Sequence, residues 1–239
     1  MRRIHVLLLL VLVVACGSRA PRGLWTDPSL DASTLKEGVV IGGVVDLTAE
    51  RDVYDMQQDA DLLEEALREN RPTLTVASWA EARSLVEPDS LDMILDAYRL
   101  TGRLTARQLA TLAPLAAGGR YVALARIDLD QTLWDYSRRI REMSDRTVVD
   151  LDPESRRTIA LLLDLYDLER NLLVYTLPIQ RTGIEHGSVY TVEGVESVPT
   201  ESEIRNAMED LDSGSDRPEP ADRAGMLAGM FREATKHLP

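Results

Sequence analysis

Residues 157–179, RTIALLLDLYDLERNLLVYTLPI, constrain the fold more than any other part of the chain. Over 158–166 the apolar residues Ile159, Leu161, Leu163 and Leu165 fall on one side, and over 172–179 Leu173, Tyr175, Leu177 and Ile179 do the same. Alternation at period two places one face of each strand in a core. The polar link 167–171 between the two runs is short enough to force an antiparallel return, so the chain must build a sheet around this hairpin.

Further strands read upstream. GVVIGGVVDL at 38–47 is a short run rich in Val and Ile, the pattern of a strand buried on both faces. Residues 74–77 make a second short strand. Residues 121–130 begin apolar and then alternate Ile127 and Leu129 with Arg126, Asp128 and Asp130, so the far end of that strand is wet on one face.

Helices fall between the strands. Over 55–69, Met56, Ala60, Leu63 and Leu67 recur at helical spacing, and Pro72 follows. Ser78 and Glu81, three apart, have the spacing of a capping box, as do Thr105 and Gln108. Pro88 ends or restarts the first of these helices, Gly102 closes a helix carrying Leu91, Ile94, Leu95 and Tyr98, and Gly118–Gly119 close the last, so 78–118 reads as almost wholly helical. Residues 224–237, with Met226, Leu227, Met230 and Phe231, predict a final helix docked on the domain.

The remaining segments are less regular. Residues 131–155 hold Trp134, Tyr136 and the basic knot Arg138, Arg139 and Arg141, and read as an excursion or an extended ribbon. An edge strand is expected around 189–192. Residues 199–223, acidic and rich in Pro, Ser and Gly, predict a disordered linker. The expected fold is mixed α/β (α+β), a small mixed sheet of about four to five strands packed with helices, over 38–198, followed by the linker and the helix of 224–239.

Composition narrows the function. With 27 basic against 40 acidic residues the net charge is −13, which speaks against a broad basic face for nucleic acid. The single Cys excludes a disulfide framework.

That Cys stands at the end of a leader. Arg2 and Arg3 precede an unbroken apolar run at 6–15, about half the roughly 20 residues a spanning helix needs, and so read as the head of a signal peptide. The run ends in Val13-Val14-Ala15-Cys16, followed by Gly17, which resembles the lipobox of bacterial lipoproteins. The resemblance implies cleavage between Ala15 and Cys16, an S-diacylglyceryl group on Cys16 and acylation of its new amino terminus, palmitate being the usual type of chain. Two or more acyl chains hold a protein stably on a membrane where one does not. Gly17, rather than Asp, after the Cys implies sorting to the outer membrane, periplasmic face. Loss of 1–15 removes two of the 27 basic residues and leaves a mature charge of −15. Residues 16–37, rich in Gly, Pro, Ser and Asp, predict a flexible tether reaching some tens of Å, on which Leu24 and Trp25 are the residues able to pack.

The order strand, helix, strand, helical segment, strand, long hairpin and final helix, behind a lipobox, looks like a group of envelope lipoproteins. The group includes the curli-secretion channel subunit, the penicillin-binding-protein activator and the accessory lipoprotein of an exopolysaccharide exporter, and its domain is similar to the amino-terminal domain of the Tol-Pal protein B. The likeness is carried by GVVIGGVVDL at 38–47, AAGGRYVALARIDLD at 116–130, the hairpin 157–179 and the closing FREATKHLP. A departure is the hairpin's second strand, which offers residues 171–175 where such domains end in Gly-x-x-Trp. The group's members bind, activate or form channels, which implies no catalytic residues and no cofactor.

The residues themselves offer few sites. Of the three His, His5 leaves with the leader, so His186 and His237 cannot make a His-rich zinc site. Glu185–His186, in a Gly-flanked segment, is the best acid/base pair and carries a minor alternative, an envelope hydrolase. Asp128, Asp130, Asp164 and Asp167 would have to converge to hold a hard cation, and no calcium-loop motif accompanies them. The expected function is therefore a non-enzymatic, lipid-anchored binding or accessory lipoprotein with a periplasmic protein or glycan partner. The alternative is an oligomeric structural or channel-associated component of a secretion or polysaccharide-export system.

Overall fold

A computed structural model describes residues 21–49, 52–193, 198–213 and 217–239. The leader and Cys16 lie outside the described residues. The chain forms β1 (Trp25–Thr26), α1 (Ala32–Leu35), β2 (Val39–Asp46), α2 (Val53–Asn70), β3 (Val76–Ala77), α3 (Trp79–Leu85), α4 (Pro88–Thr101) and α5 (Ala106–Thr111). After a 3-10 turn at Ala113–Ala117 come β4 (Tyr121–Glu142), β5 (Thr147–Asp167), β6 (Leu172–His186), β7 (Tyr190–Glu193), α6 (Glu201–Ser213) and α7 (Arg223–Lys236).

The mixed class expected from the sequence is the one observed, with seven strands among the described residues in place of four or five. Their order is β1-β6-β5-β4-β2-β3, with β7 beside β5. β2 runs parallel to β3 and β4, and the other pairs are antiparallel. β2 is buried along its whole length, because helices cover both of its faces. On one face Val39, Ile41, Leu63, Leu67, Leu161, Leu163 and Phe231 join α2 and α7 to the sheet. On the other, Val40, Leu91, Leu95, Leu109, Leu124 and Tyr166 join it to α3, α4 and α5.

Local signals account for the element boundaries. Both predicted capping boxes form, Ser78 with Glu81 and Thr105 with Gln108, which satisfies backbone donors that a helix start leaves open. Pro88 opens α4 and Gly102 closes it at φ 68°. Gly42 is the extra residue of a bulge between β2 and β4, and Gly43 beside it takes φ +139°, a conformation that L side chains rarely adopt.

Two sequence expectations are corrected. The tether does not extend to residue 37: β1 pairs with β6, and Leu30 and Leu35 are buried in the main core. These apolar side chains lie within a Gly- and Pro-rich stretch whose average composition hides them. Nor is 199–223 disordered throughout, because α6 forms within it. Thr200 and Glu203 cap that helix by exchanging backbone and side-chain hydrogen bonds, and Ile204, Ala207 and Leu211 are buried beneath it.

Candidate functional site

The ribbon reading of 131–155 is the one that holds, and it yields the most distinctive feature of the molecule. β4 pairs with β2 only as far as Ile127, yet it continues to Glu142 with β5 alongside from Thr147. β6 follows β5 down to His186, opposite Glu154, and β7 joins beyond it. The result is an arm of paired strands that leaves the α/β body at a second bulge, between Ile127 and Leu129. Bulges bend and twist a strand locally, which re-aims the arm.

One face of the arm is covered. Val149, Leu151 and Val192 pack with Ile204, Ala207 and Leu211 of α6, and Tyr136 and Met208 border this small core. Arg138 Nη1 lies 3.3 Å from Glu201 Oε1, and the Arg217 guanidinium sits 5.5 Å above the Trp134 ring. Among the described residues no helix lies over the opposite face. Leu133 and Ile184, both on that face across Arg156, are 54% and 45% exposed. Nearer the tip Arg141 Nη2 donates to Asp150 Oδ1 at 2.8 Å and Thr191 Oγ1 donates to the same oxygen at 2.7 Å. Arg141, followed by Thr191, holds the Asp150 carboxyl below the usual carboxylate range. The basic knot is thus divided: Arg138 faces α6, while Arg139 and Arg141 face the open side, where Ser137, Arg139, Asp150, Asp152 and Val189 line a groove of about 100 Å³.

A buried ion cluster fastens the base of the arm. Arg223, the first residue of α7, donates from Nη1 and Nη2 to the two oxygens of Asp59 at 2.6 and 2.9 Å. It also donates from Nη2 to Asp46 Oδ2 at 3.2 Å and from Nε to Asp130 Oδ2 at 3.2 Å. Arg157 meets Asp130 with a second fork, at 2.8 and 2.9 Å. The cluster joins β2, α2, α7 and the first rungs of the arm. Burial disfavours the Arg223 charge, but Asp59, Asp46 and Asp130 outweigh it and raise its pKa.

The sequence candidates do not converge on one site. Asp130 belongs to this cluster, Asp128 pairs with Arg126, and Asp167 accepts from Arg120 at 2.8 and 3.1 Å. Asp164 is buried on the other face, where Tyr98 Oη donates to its Oδ2 at 3.0 Å. Among the described residues no group of three or more His, Cys, Asp or Glu is placed to hold a metal. Glu185 and His186 end β6 as consecutive strand residues, so their side chains point to opposite faces. His186 Nδ1 lies 3.6 Å from Asp152 Oδ1 and its ring is exposed, while His237 Nε2 lies 3.1 Å from Glu233 Oε1.

One further concavity sits at the carboxyl end of β2, where open α/β sheets hold ligands. It is lined by Val45, Val53, Met56 and Leu95 together with Asp46, Asp92, Asp96 and Arg99, and has a volume of about 210 Å³. Small-molecule sites usually run from about 300 Å³ upward, so this crevice is small for a cofactor.

No protein-family model matches the chain, and no curated protein matches it. Among solved structures, the PelC dodecamer from Paraburkholderia phytofirmans aligns over 90% of this chain and 94% of its own at 11% identity, with a TM-score of 0.40. A second PelC dodecamer from the same organism gives 10% identity and a TM-score of 0.41 over the same shares. The hypothetical protein CT253 from Chlamydia trachomatis covers 64% of this chain and 73% of its own, at 12% identity and a TM-score of 0.33. Likeness at this level assigns no function to the chain.

Proposed function

We propose that the protein is a non-enzymatic lipoprotein of the bacterial envelope, anchored through Cys16 on the periplasmic face of the outer membrane, that binds a periplasmic protein or glycan with its β-arm. The observation that carries this reading is the leader: Arg2 and Arg3, the apolar run 6–15 and Ala15-Cys16. The arm supports it, because a long projecting ribbon with exposed Leu133 and Ile184 on an uncovered face supplies contact area away from the body. Among the described residues no helix is long and apolar enough to cross a membrane, in keeping with attachment by lipid. The separated Glu185 and His186 side chains argue against the hydrolase reading.

The test is crosslinking in intact cells followed by affinity capture from detergent-solubilised envelope, comparing the native chain with Leu133→Asp/Ile184→Asp. A partner captured by the native chain and lost from the double variant is the expected result. Recovery of the native chain alone contradicts it.

A second reading, an oligomeric component of a secretion or export system, is favoured by one observation. Among the described strands β4 has no partner on its outer side from Leu129 to Glu142. A free edge of this length is a template for pairing with another chain. Light scattering on the detergent-purified protein decides: a closed multiple supports this reading, and a monomer at every concentration removes it.

A further inference from the structure

We propose that the uncovered face of the sheet next to β1, presenting Trp25, Pro178, Leu162 and Leu129 at the base of the arm, is seated on the lipid headgroups of the membrane that anchors the chain. The inference rests on the reading of Cys16 as the lipidated residue. It starts from the length of chain left between lipid and fold. The chain enters the domain at β1, where Trp25 pairs with β6, and Leu24 packs against the main core. From Cys16 to Pro21 there are five residues, which span at most about 18 Å fully extended. A body held on so short a lead cannot stand clear of the bilayer, so some surface near residue 21 must face it.

The register identifies that surface. Trp25 lies opposite Thr176, which lies opposite Asp164, so Trp25 is on the face that α4 and α5 cover farther in. At the sheet edge this cover is gone, and Trp25 is 46% exposed. Gly23 lies against Pro178, since a Cβ there would come within 2.6 Å of the Pro178 ring. Pro178 shares a rung with Leu162, the next rung holds Leu129, Ala160 and Gln180, and two rungs farther lie Leu133, Arg156 and Ile184. The face therefore runs from the point where the chain emerges to the base of the arm and stops short of the Leu133–Ile184 surface.

Its chemistry suits a headgroup layer. Trp is a residue that settles at the boundary of water and acyl chains, and the exposed Arg22, three residues earlier in the chain, supplies a charge suited to phosphate. The charge distribution agrees. In a chain of net charge −13 these rungs carry one exposed carboxylate, Asp128, already paired with Arg126, before Asp135 and Glu154 appear farther out. Farther out on this face Asp135, Asp150, Asp152 and Glu154 outnumber Arg139, Arg141 and Arg156, so an anionic surface favours the base over the tip.

The test uses the full lipidated chain, purified in detergent and placed in vesicles of phosphatidylethanolamine and phosphatidylglycerol. With the Cys16 sulfur held in a thioether, an introduced Cys is the only thiol. An environment-sensitive NBD dye is attached to Gln180→Cys on the proposed face, or to Glu65→Cys on α2 across the sheet, and nitroxide-labelled lipid serves as quencher. The expected result is a severalfold brightening and quenching at 180, neither at 65, and weaker quenching at 180 when Trp25→Ser is added. Three results overturn the proposal: a dark, unquenched probe at 180, equal quenching at both positions, or brightening without lipid quenching, which would mean that a second copy covers the face. Intact mass is measured on the same sample, so that an unacylated Cys16, which overturns both readings, is distinguished from failure of the face alone.

Discussion

Replacing Arg223 by Met tests how the arm is fastened to the body. Met keeps much of the apolar stem and removes the guanidinium. Asp46 then retains its bonds from the Thr48 backbone and hydroxyl, at 2.8 and 2.6 Å, and Asp130 retains the Arg157 fork. Asp59, 5% exposed, loses both of its hydrogen bonds to Arg223. Leaving one buried charge without its partner costs about 3–5 kcal/mol, a large share of the roughly 5–15 kcal/mol that holds an ordinary domain together. The assay is urea unfolding of the chain that begins at residue 17. Adding Asp59→Leu should recover most of the loss, because an apolar pair of similar volume leaves no charge to solvate. A loss below about 1 kcal/mol for Arg223→Met, or a double variant no better than the single one, refutes the view that this cluster fastens the arm.

Three further outcomes follow from particular residues. Burial raises the Asp164 carboxyl above its ordinary 3.8, against the lowering by the Thr176 and Tyr98 hydroxyls. The unfolded chain therefore gives up this proton first, and stability falls as pH rises from the unfolded value through the folded one. Asp164→Asn should accordingly gain on the native protein between acid and neutral pH, and a stability difference between the two that is the same at pH 3 and pH 7 contradicts this. Gly43→Ala should cost about 1–3 kcal/mol in the same urea assay, since φ is +139° and the new Cβ comes within 3.1 Å of Leu95; an unchanged midpoint counts against the strain. Ile204→Asp puts a charge into the small core under α6, so limited proteolysis should cut within 198–223 much faster than in the native chain, and equal cleavage rates contradict the packing described.

The parts of the fold legible in the sequence are those where burial imposes a period. β2, with helices on both faces, reads as a continuous apolar run, and the β5–β6 hairpin reads as clean alternation where one face meets α7. The arm is harder to read, because from Leu129 outward most side chains of β4 are exposed on both faces and polar residues occupy either side. Its strands are held by the ladder propagated from the hairpin rather than by a period of their own. The missed α6 had a readable signal: Thr200-x-x-Glu203 repeats the capping spacing used correctly at Ser78 and Thr105, and Ile204, Ala207, Met208 and Leu211 follow at helical spacing. Acidic, Ser-rich composition obscured it. The Arg223 cluster was beyond sequence reading, because its carboxylates come from positions 46, 59 and 130 and only the tertiary fold assembles them.

The proposed anchor is the sulfur of Cys16, and intact mass spectrometry of the protein extracted from its native envelope tests it most directly. The predicted species starts at residue 16 and carries a diacylglyceryl group together with an amide-linked acyl chain. A mass that still contains residues 1–15, or one that ends in an unmodified thiol, contradicts the anchor and removes the basis for placing this domain against a membrane.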